Sequence, residues 1–172
     1  MLGTRHSALS CWQPETEVMK LEGTYTIAAP LDAVWRNLMD PAVLQRAMPG
    51  CQKLEEKAPY QYRAVLKAGV GPVKGTFHGD ITIADIVPEK GYTLTSRANS
   101  TAGFVEGIGR VELEGKGDGT TMVRFSGEAK VGGMLASVGG RLVEAAAQKN
   151  IRETFANLAR ELNAAADSAR LA

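Results

Sequence analysis

Polar and apolar residues alternate from Lys20 to Ala28. Leu21, Gly23, Tyr25 and Ile27 share one side; Glu22, Thr24 and Thr26 share the other. A period of two marks a half-buried strand. The period then changes. Pro30 suits the first turn of a helix over Leu31–Met39, with Val34, Trp35 and Leu38 as its stripe. Asp40 can cap a second short helix from Pro41 that carries Val43, Leu44 and Ala47, and Pro49-Gly50 ends it. Six strands are predicted next: Cys51–Lys57, Gln61–Val70, Val73–Val87, Tyr92–Ser100, Phe104–Gly115 and Thr120–Val131. Turn-forming runs such as Ala58-Pro59, Gly71-Pro72 and Gly117-Asp118-Gly119 separate them, and such short connections make neighbours antiparallel. A long helix over Val138–Asn163 closes the pattern, with Val143, Ala147, Ile151, Phe155, Leu158 and Leu162 on one face.

This order predicts an α+β fold. A seven-stranded antiparallel curved sheet wraps the long C-terminal helix, with two short helices after strand 1, a helix-grip arrangement. The domain is expected over 19–163. Residues 1–18 lack periodicity and are expected to be a disordered or non-native extension, and 164–172 a frayed tail.

Alternation assigns the inward side chains. They include Tyr62, Ala64, Leu66 and Ala68; Gly75, Phe77, Gly79, Ile81 and Ile83; Tyr92, Leu94, Ser96 and Ala98; Val105, Gly107, Gly109, Val111 and Leu113; and Val123, Phe125, Gly127, Ala129 and Val131. Many are small. Filling a core at native density needs larger side chains, so an apolar cavity between sheet and helix is expected. Its expected lining is Tyr62, Leu66, Phe77, Ile81, Leu94, Ala98, Val105, Gly107, Gly109, Phe125, Gly127 and Ala129, with Ile151 and Phe155 from the helix. Gly107→Leu or Ala129→Phe should fill it. The alternative is that the glycines mark bends that curl the sheet onto a dry core. The uncharged run Val131–Gly140 holds four glycines. Its Met134, Leu135 and Val138, with Leu142, either line a cavity mouth that meets a partner or bilayer, or tuck under the sheet edge.

Composition narrows the function. The chain has 20 Lys+Arg, 19 Asp+Glu and a net charge of +1, which excludes nucleic-acid binding by bulk electrostatics. Glycine numbers 19 of 172 residues, above the usual ~7%. Two cysteines, Cys11 and Cys51, form no disulfide framework and are expected as free thiols in a reducing compartment. Two histidines, His6 and His78, are too few for a His-rich metal site. No metal ligands and no catalytic residues are assigned. Cys51 has no His or Asp at a recognisable spacing, and His78 lies on the polar face of its strand. Glu106 and Arg110 would face inward only if the strand bulged at Gly107. The hydroxyls of Tyr25, Tyr62 and Tyr92 either meet a ligand carbonyl or reach the rim.

Three stretches carry a resemblance. They are Met48-Pro-Gly-Cys51, the run Lys67-Ala-Gly-Val-Gly-Pro-Val-Lys-Gly-Thr-Phe77, and Lys130-Val-Gly-Gly-Met-Leu-Ala-Ser-Val-Gly-Gly-Arg-Leu142. They resemble the family of the carbon monoxide dehydrogenase G subunit, within the START/Bet v 1-like (SRPBCC) superfamily, whose generic opening matches Met19–Pro30. The resemblance implies a hydrophobic cavity and an accessory, non-enzymatic role. It implies a molybdenum-containing dehydrogenase as partner and a link to the membrane or quinone pool. A menaquinone-like quinone or isoprenoid lipid is the expected ligand, bound without covalent attachment. The expected location is cytoplasmic, peripheral on the inner face of the cell membrane, with transient contact through Met134–Leu142. The alternatives are a recruitment or assembly factor with an incidental cavity and, third, a polyketide cyclase-type enzyme.

Overall fold

The computed structural model describes the backbone of residues 16–171 and the side chains of 18–164. The strands are β1 (Thr16–Ile27), β2 (Cys51–Ala58), β3 (Gln61–Val70), β4 (Val73–Val87), β5 (Gly91–Ser100), β6 (Gly103–Gly115) and β7 (Thr121–Gly132). The helices are α1 (Leu31–Leu38), α2 (Pro41–Ala47), α3 (Met134–Ser137) and α4 (Gly140–Leu171). One antiparallel sheet runs β1-β7-β6-β5-β4-β3-β2. The expected helix-grip arrangement is present.

Local chemistry explains the joints. The Asp40 carboxylate accepts from the Ala42 N–H at 3.0 Å and caps α2, with Pro41 at its first position. Gly71 takes a φ of +58° in the two-residue β3–β4 turn, before Pro72; a positive φ at that first position suits a II′ hairpin. In β4 the register slips between Ala84 and Val87, with Asp85 at a φ of +52°. This bulge returns Ile86 to partial burial. Edge strand β2 is stitched to α2 by Gln45, which donates to the Gln52 carbonyl at 3.1 Å and accepts from the Leu54 N–H at 3.2 Å.

Several boundaries correct the sequence reading. Strand β1 starts at Thr16, opposite Gly132 of β7, so 16–18 belong to the sheet rather than to an extension. Residues 1–15 lie outside the described residues. The closing helix starts at Gly140 rather than Val138, because the one-turn helix α3 and a break at Gly139 precede it. It continues to Leu171, so the backbone of 164–171 is helical where a frayed tail was expected.

The C-terminal half of α4 is clamped. Asn157 donates to the Ala47 carbonyl at 2.8 Å, Arg46 makes two 3.1 Å bonds to Glu161, and Leu158 and Leu162 are buried. Two cores result. The larger joins α1, α2 and α4 to the sheet through Val34, Leu38, Tyr92, Val111, Val123, Phe155 and Leu158. The smaller joins Met19, Leu21, Phe77, Ala129, Val131, Leu135 and Val143. Phe125 and Ile151 touch both.

Candidate ligand slot and its mouth

Cross-strand register shows what lies between the two cores. Met19, Ala129, Gly107, Ser96, Ile81 and Tyr62 form one inward row across six strands. Leu21, Gly127, Gly109, Leu94 and Ile83 form the next. The ends of these rows are packed and the middle is not. Leu66, Ile81, Leu94, Ser96, Ala98, Val105, Gly107, Phe125 and Ile151 stay half-buried although alternation aims the strand residues at the helix. A dry core would bury the large apolar ones, Leu66, Ile81, Leu94, Val105, Phe125 and Ile151, each worth about 1.5–3 kcal/mol on full burial. The middle of the sheet is therefore less covered than its ends, and it is the candidate floor of a ligand slot. At Gly107 an added Cβ would meet only the Ser96 hydroxyl at 3.2 Å and the Glu128 carbonyl at 3.5 Å within 4 Å. No helix atom lies within 4 Å of that position.

Other predicted lining residues fall elsewhere. The space over Gly109 is taken by the Phe125 ring, 2.9 Å from where its Cβ would stand. At Gly127 the backbone of Ile108 and Gly109 approaches too closely for any side chain. These two glycines permit aromatic cover and sheet curl, as the alternative reading held, and do not open space. Phe77 and Ala129 are buried in the smaller core. Phe155 is buried in the larger one, its ring stacked on Tyr25 at 4.7 Å. Tyr62 is buried at the slot's side. Ala68, assigned inward, is exposed, because β3 overhangs β5 near its hairpin tip.

The mouth-forming segments meet at one end. The Leu135 N–H donates to the Ala102 carbonyl at 2.8 Å, tying α3 to the β5–β6 turn. Val70, Val73 and Val138 pack against the same smaller core as Leu135. An open depression of about 610 Å³ lies at the β3–β4 tip, lined by Lys67, Gly69, Gly71, Lys74 and their neighbours. Leu135 is buried and leaves the predicted contact set, since its side chain plugs the smaller core. Met134 at 61% exposure and Leu142 at 52% stand out into solvent, with Val138 half-buried between them. The segments 67–76, 99–104 and 130–142 carry Lys67, Lys74, Lys130 and Arg141, all exposed, and no carboxylate. This basic rim was the feature that sequence reasoning missed. Its signal was the lack of Asp and Glu in three stretches that only the fold brings together.

Polar groups in the slot are few. Tyr92 is 4% exposed, and Trp35 meets its ring edge-on at 6.1 Å. Burial pushes its phenol pKa far up, with nearby Tyr62 adding to the effect. Burial also raises Tyr62, with Glu56 beside it. Cys51 is a half-buried free thiol whose Sγ donates to the Lys53 carbonyl at 3.5 Å, and burial raises its pKa. A raised pKa disfavours the nucleophilic thiolate. Glu106 pairs with Arg97 at 3.2 Å and Arg110 with Glu112 at 3.4 Å on the outer face. His78 is exposed. No convergent nucleophile, base and orienting group occurs among the described residues.

Comparison with known proteins agrees with this architecture. The pattern of the carbon monoxide dehydrogenase G subunit (CoxG) matches residues 23–163. The chain belongs to the CoxG family. A conserved protein from Geobacillus kaustophilus is 30% identical with a TM-score of 0.81, covering 84% of this chain and 95% of that one. A START superfamily protein from Mycobacterium smegmatis shares 13% identity with a TM-score of 0.65, covering 84% and 97%. The Zhui aromatase/cyclase from Streptomyces sp. R1128 shares 19% with a TM-score of 0.64, covering 86% and 94%. The last two likenesses show the fold alone, which is START/Bet v 1-like. No curated protein matches. Among the described residues no helix is long and apolar enough to cross a membrane. CoxG membership fits an accessory, ligand-binding domain on this fold.

Proposed function

We propose that the chain carries an apolar ligand of the menaquinone-like quinone or isoprenoid class without chemical turnover. In this role it links a molybdenum-containing carbon monoxide dehydrogenase-type enzyme to the membrane or quinone pool. The observation that carries this is the band of half-buried inward residues around Gly107, left between two packed cores. Its lining is apolar apart from a few hydroxyls, the composition of a pocket for a greasy ligand. The mouth supports the membrane side of the reading. Met134 and Leu142 offer apolar contact, and the four cations attract an anionic lipid surface.

The test is native mass spectrometry of protein made in a quinone-producing host, followed by lipid extraction. The expected result is a retained quinone or isoprenoid. Protein that emerges empty and refuses added menaquinone overturns the carrier role. One observation favours a second reading, a recruitment factor with an incidental slot: Gly109 and Gly127 serve packing rather than space. In that case Gly107→Leu would leave dehydrogenase capture in a pulldown intact.

A further inference from the structure

One strand runs the length of the slot. Ala98, Ser96, Leu94 and Tyr92 of β5 all face inward, and β5 lies in the middle of the sheet with β4 and β6 beside it. At ~3.4 Å per residue the floor from Ala98 to Tyr92 is about 20 Å long. Ala98 lies near the mouth, since its neighbours Asn99 and Ser100 lead into the β5–β6 turn that holds α3. Tyr92 lies at the opposite end, under Trp35 of α1. Between them the floor offers Leu94 and the single hydroxyl of Ser96.

The hydroxyl at the deep end is unusual. Every completely buried side-chain oxygen has a partner among the described residues, yet the Tyr92 hydroxyl makes no hydrogen bond among them. That oxygen therefore keeps a small accessible area on a residue that is otherwise covered. Tyr62 stands close enough for its charge to disfavour ionisation of Tyr92, and Tyr62 itself is paired across the strands with Glu56 of edge strand β2. Tyr92 is thus a neutral phenol with an unpartnered proton, on the same inward face of β5 as Leu94 and Ser96. Such a donor discriminates strongly in favour of a ligand that carries an acceptor oxygen where it points.

We propose that the ligand lies lengthwise along β5 with an oxygen-bearing end inward, accepting a hydrogen bond from the Tyr92 hydroxyl, and its hydrocarbon remainder leading out past Ser96 and Ala98 to the mouth. This rests on the carrier reading above and adds the polarity of binding and the residue that sets it.

The test compares two probes of one shape, menadione and 2-methylnaphthalene, which differ in the two carbonyl oxygens. Titrations use the full chain as wild type, Y92F and S96A. Wild type should prefer menadione by about tenfold, the value of one hydrogen bond. Y92F should bring the ratio close to one while hydrocarbon affinity holds, and S96A should leave the ratio unchanged. A preference that survives Y92F, that moves with S96A instead, or that is absent from wild type overturns the orientation and leaves the carrier reading standing. Wild type that binds neither probe overturns both. Thermal melting supplies a second check. Y92F should melt at the wild-type temperature or above, because it removes an unpartnered hydroxyl. A fall of several degrees would show that the hydroxyl has a structural partner and would overturn the assignment.

Discussion

Two glycines of one face behave in opposite ways. An added Cβ at Gly107 meets only two atoms within 4 Å, whereas at Gly127 it would stand 2.5 Å from the Ile108 carbonyl oxygen. Gly127→Ala should therefore cost about 1–3 kcal/mol in urea unfolding, and Gly107→Ala should stay within about 0.5 kcal/mol. Gly107→Leu should lower ligand affinity at least about tenfold with little loss of stability. Ala129→Phe no longer serves that purpose: Ala129 is buried in the smaller core, so the larger ring would overpack it. Tyr92 adds a pH test. Its pKa is raised on folding, so the folded state holds the phenol proton more tightly than the unfolded chain. That stability is fully present below the ordinary tyrosine pKa of about 10 and is lost as pH rises above it. The urea midpoint should fall as pH rises above about 10, and Y92F should reduce that fall, leaving a smaller part that Tyr62 carries.

At the scale of elements, alternation and turn chemistry carried most of the fold. β3 and β4 begin and end where the period of two does, because Gly71-Pro72 leaves the hairpin little freedom. The start of α4 was not legible. Val138 keeps the helical spacing but sits in the break after α3, which tertiary contact to Ala102 fixes. The slot was legible as a shortage of volume. Which glycines leave it open was not, because Phe125 and Tyr25 fold over Gly109 and Gly23 in a way that spacing does not encode. In α4, Phe155→Ala should cost about 3–5 kcal/mol, since the ring is buried and stacked on Tyr25.

For the whole molecule, charge is balanced in sum and uneven in place. The net charge is +1, yet the mouth-forming segments 67–76, 99–104 and 130–142 carry four cations and no carboxylate. If that end meets the membrane as proposed, the chain should sediment with vesicles containing phosphatidylglycerol and less with neutral phosphatidylcholine. Binding should weaken from about 50 mM to 500 mM salt. M134D/L142D should abolish it with an unchanged melting temperature, because both side chains are already exposed.

The strand order has a consequence for how the chain is made. Among the described strands β1 is synthesised first, lies at a sheet edge, and pairs only with β7, the last of them. About 100 residues separate the partners, and translation at ~5–20 residues per second leaves β1 without its neighbour for roughly 5–20 seconds. Its alternating face, Met19, Leu21, Tyr25 and Ile27, is open to other chains during that time. Closing so distant a pair is also slow on the scale of single domains. Nascent chains stalled before Thr121 should therefore be the form that needs a chaperone.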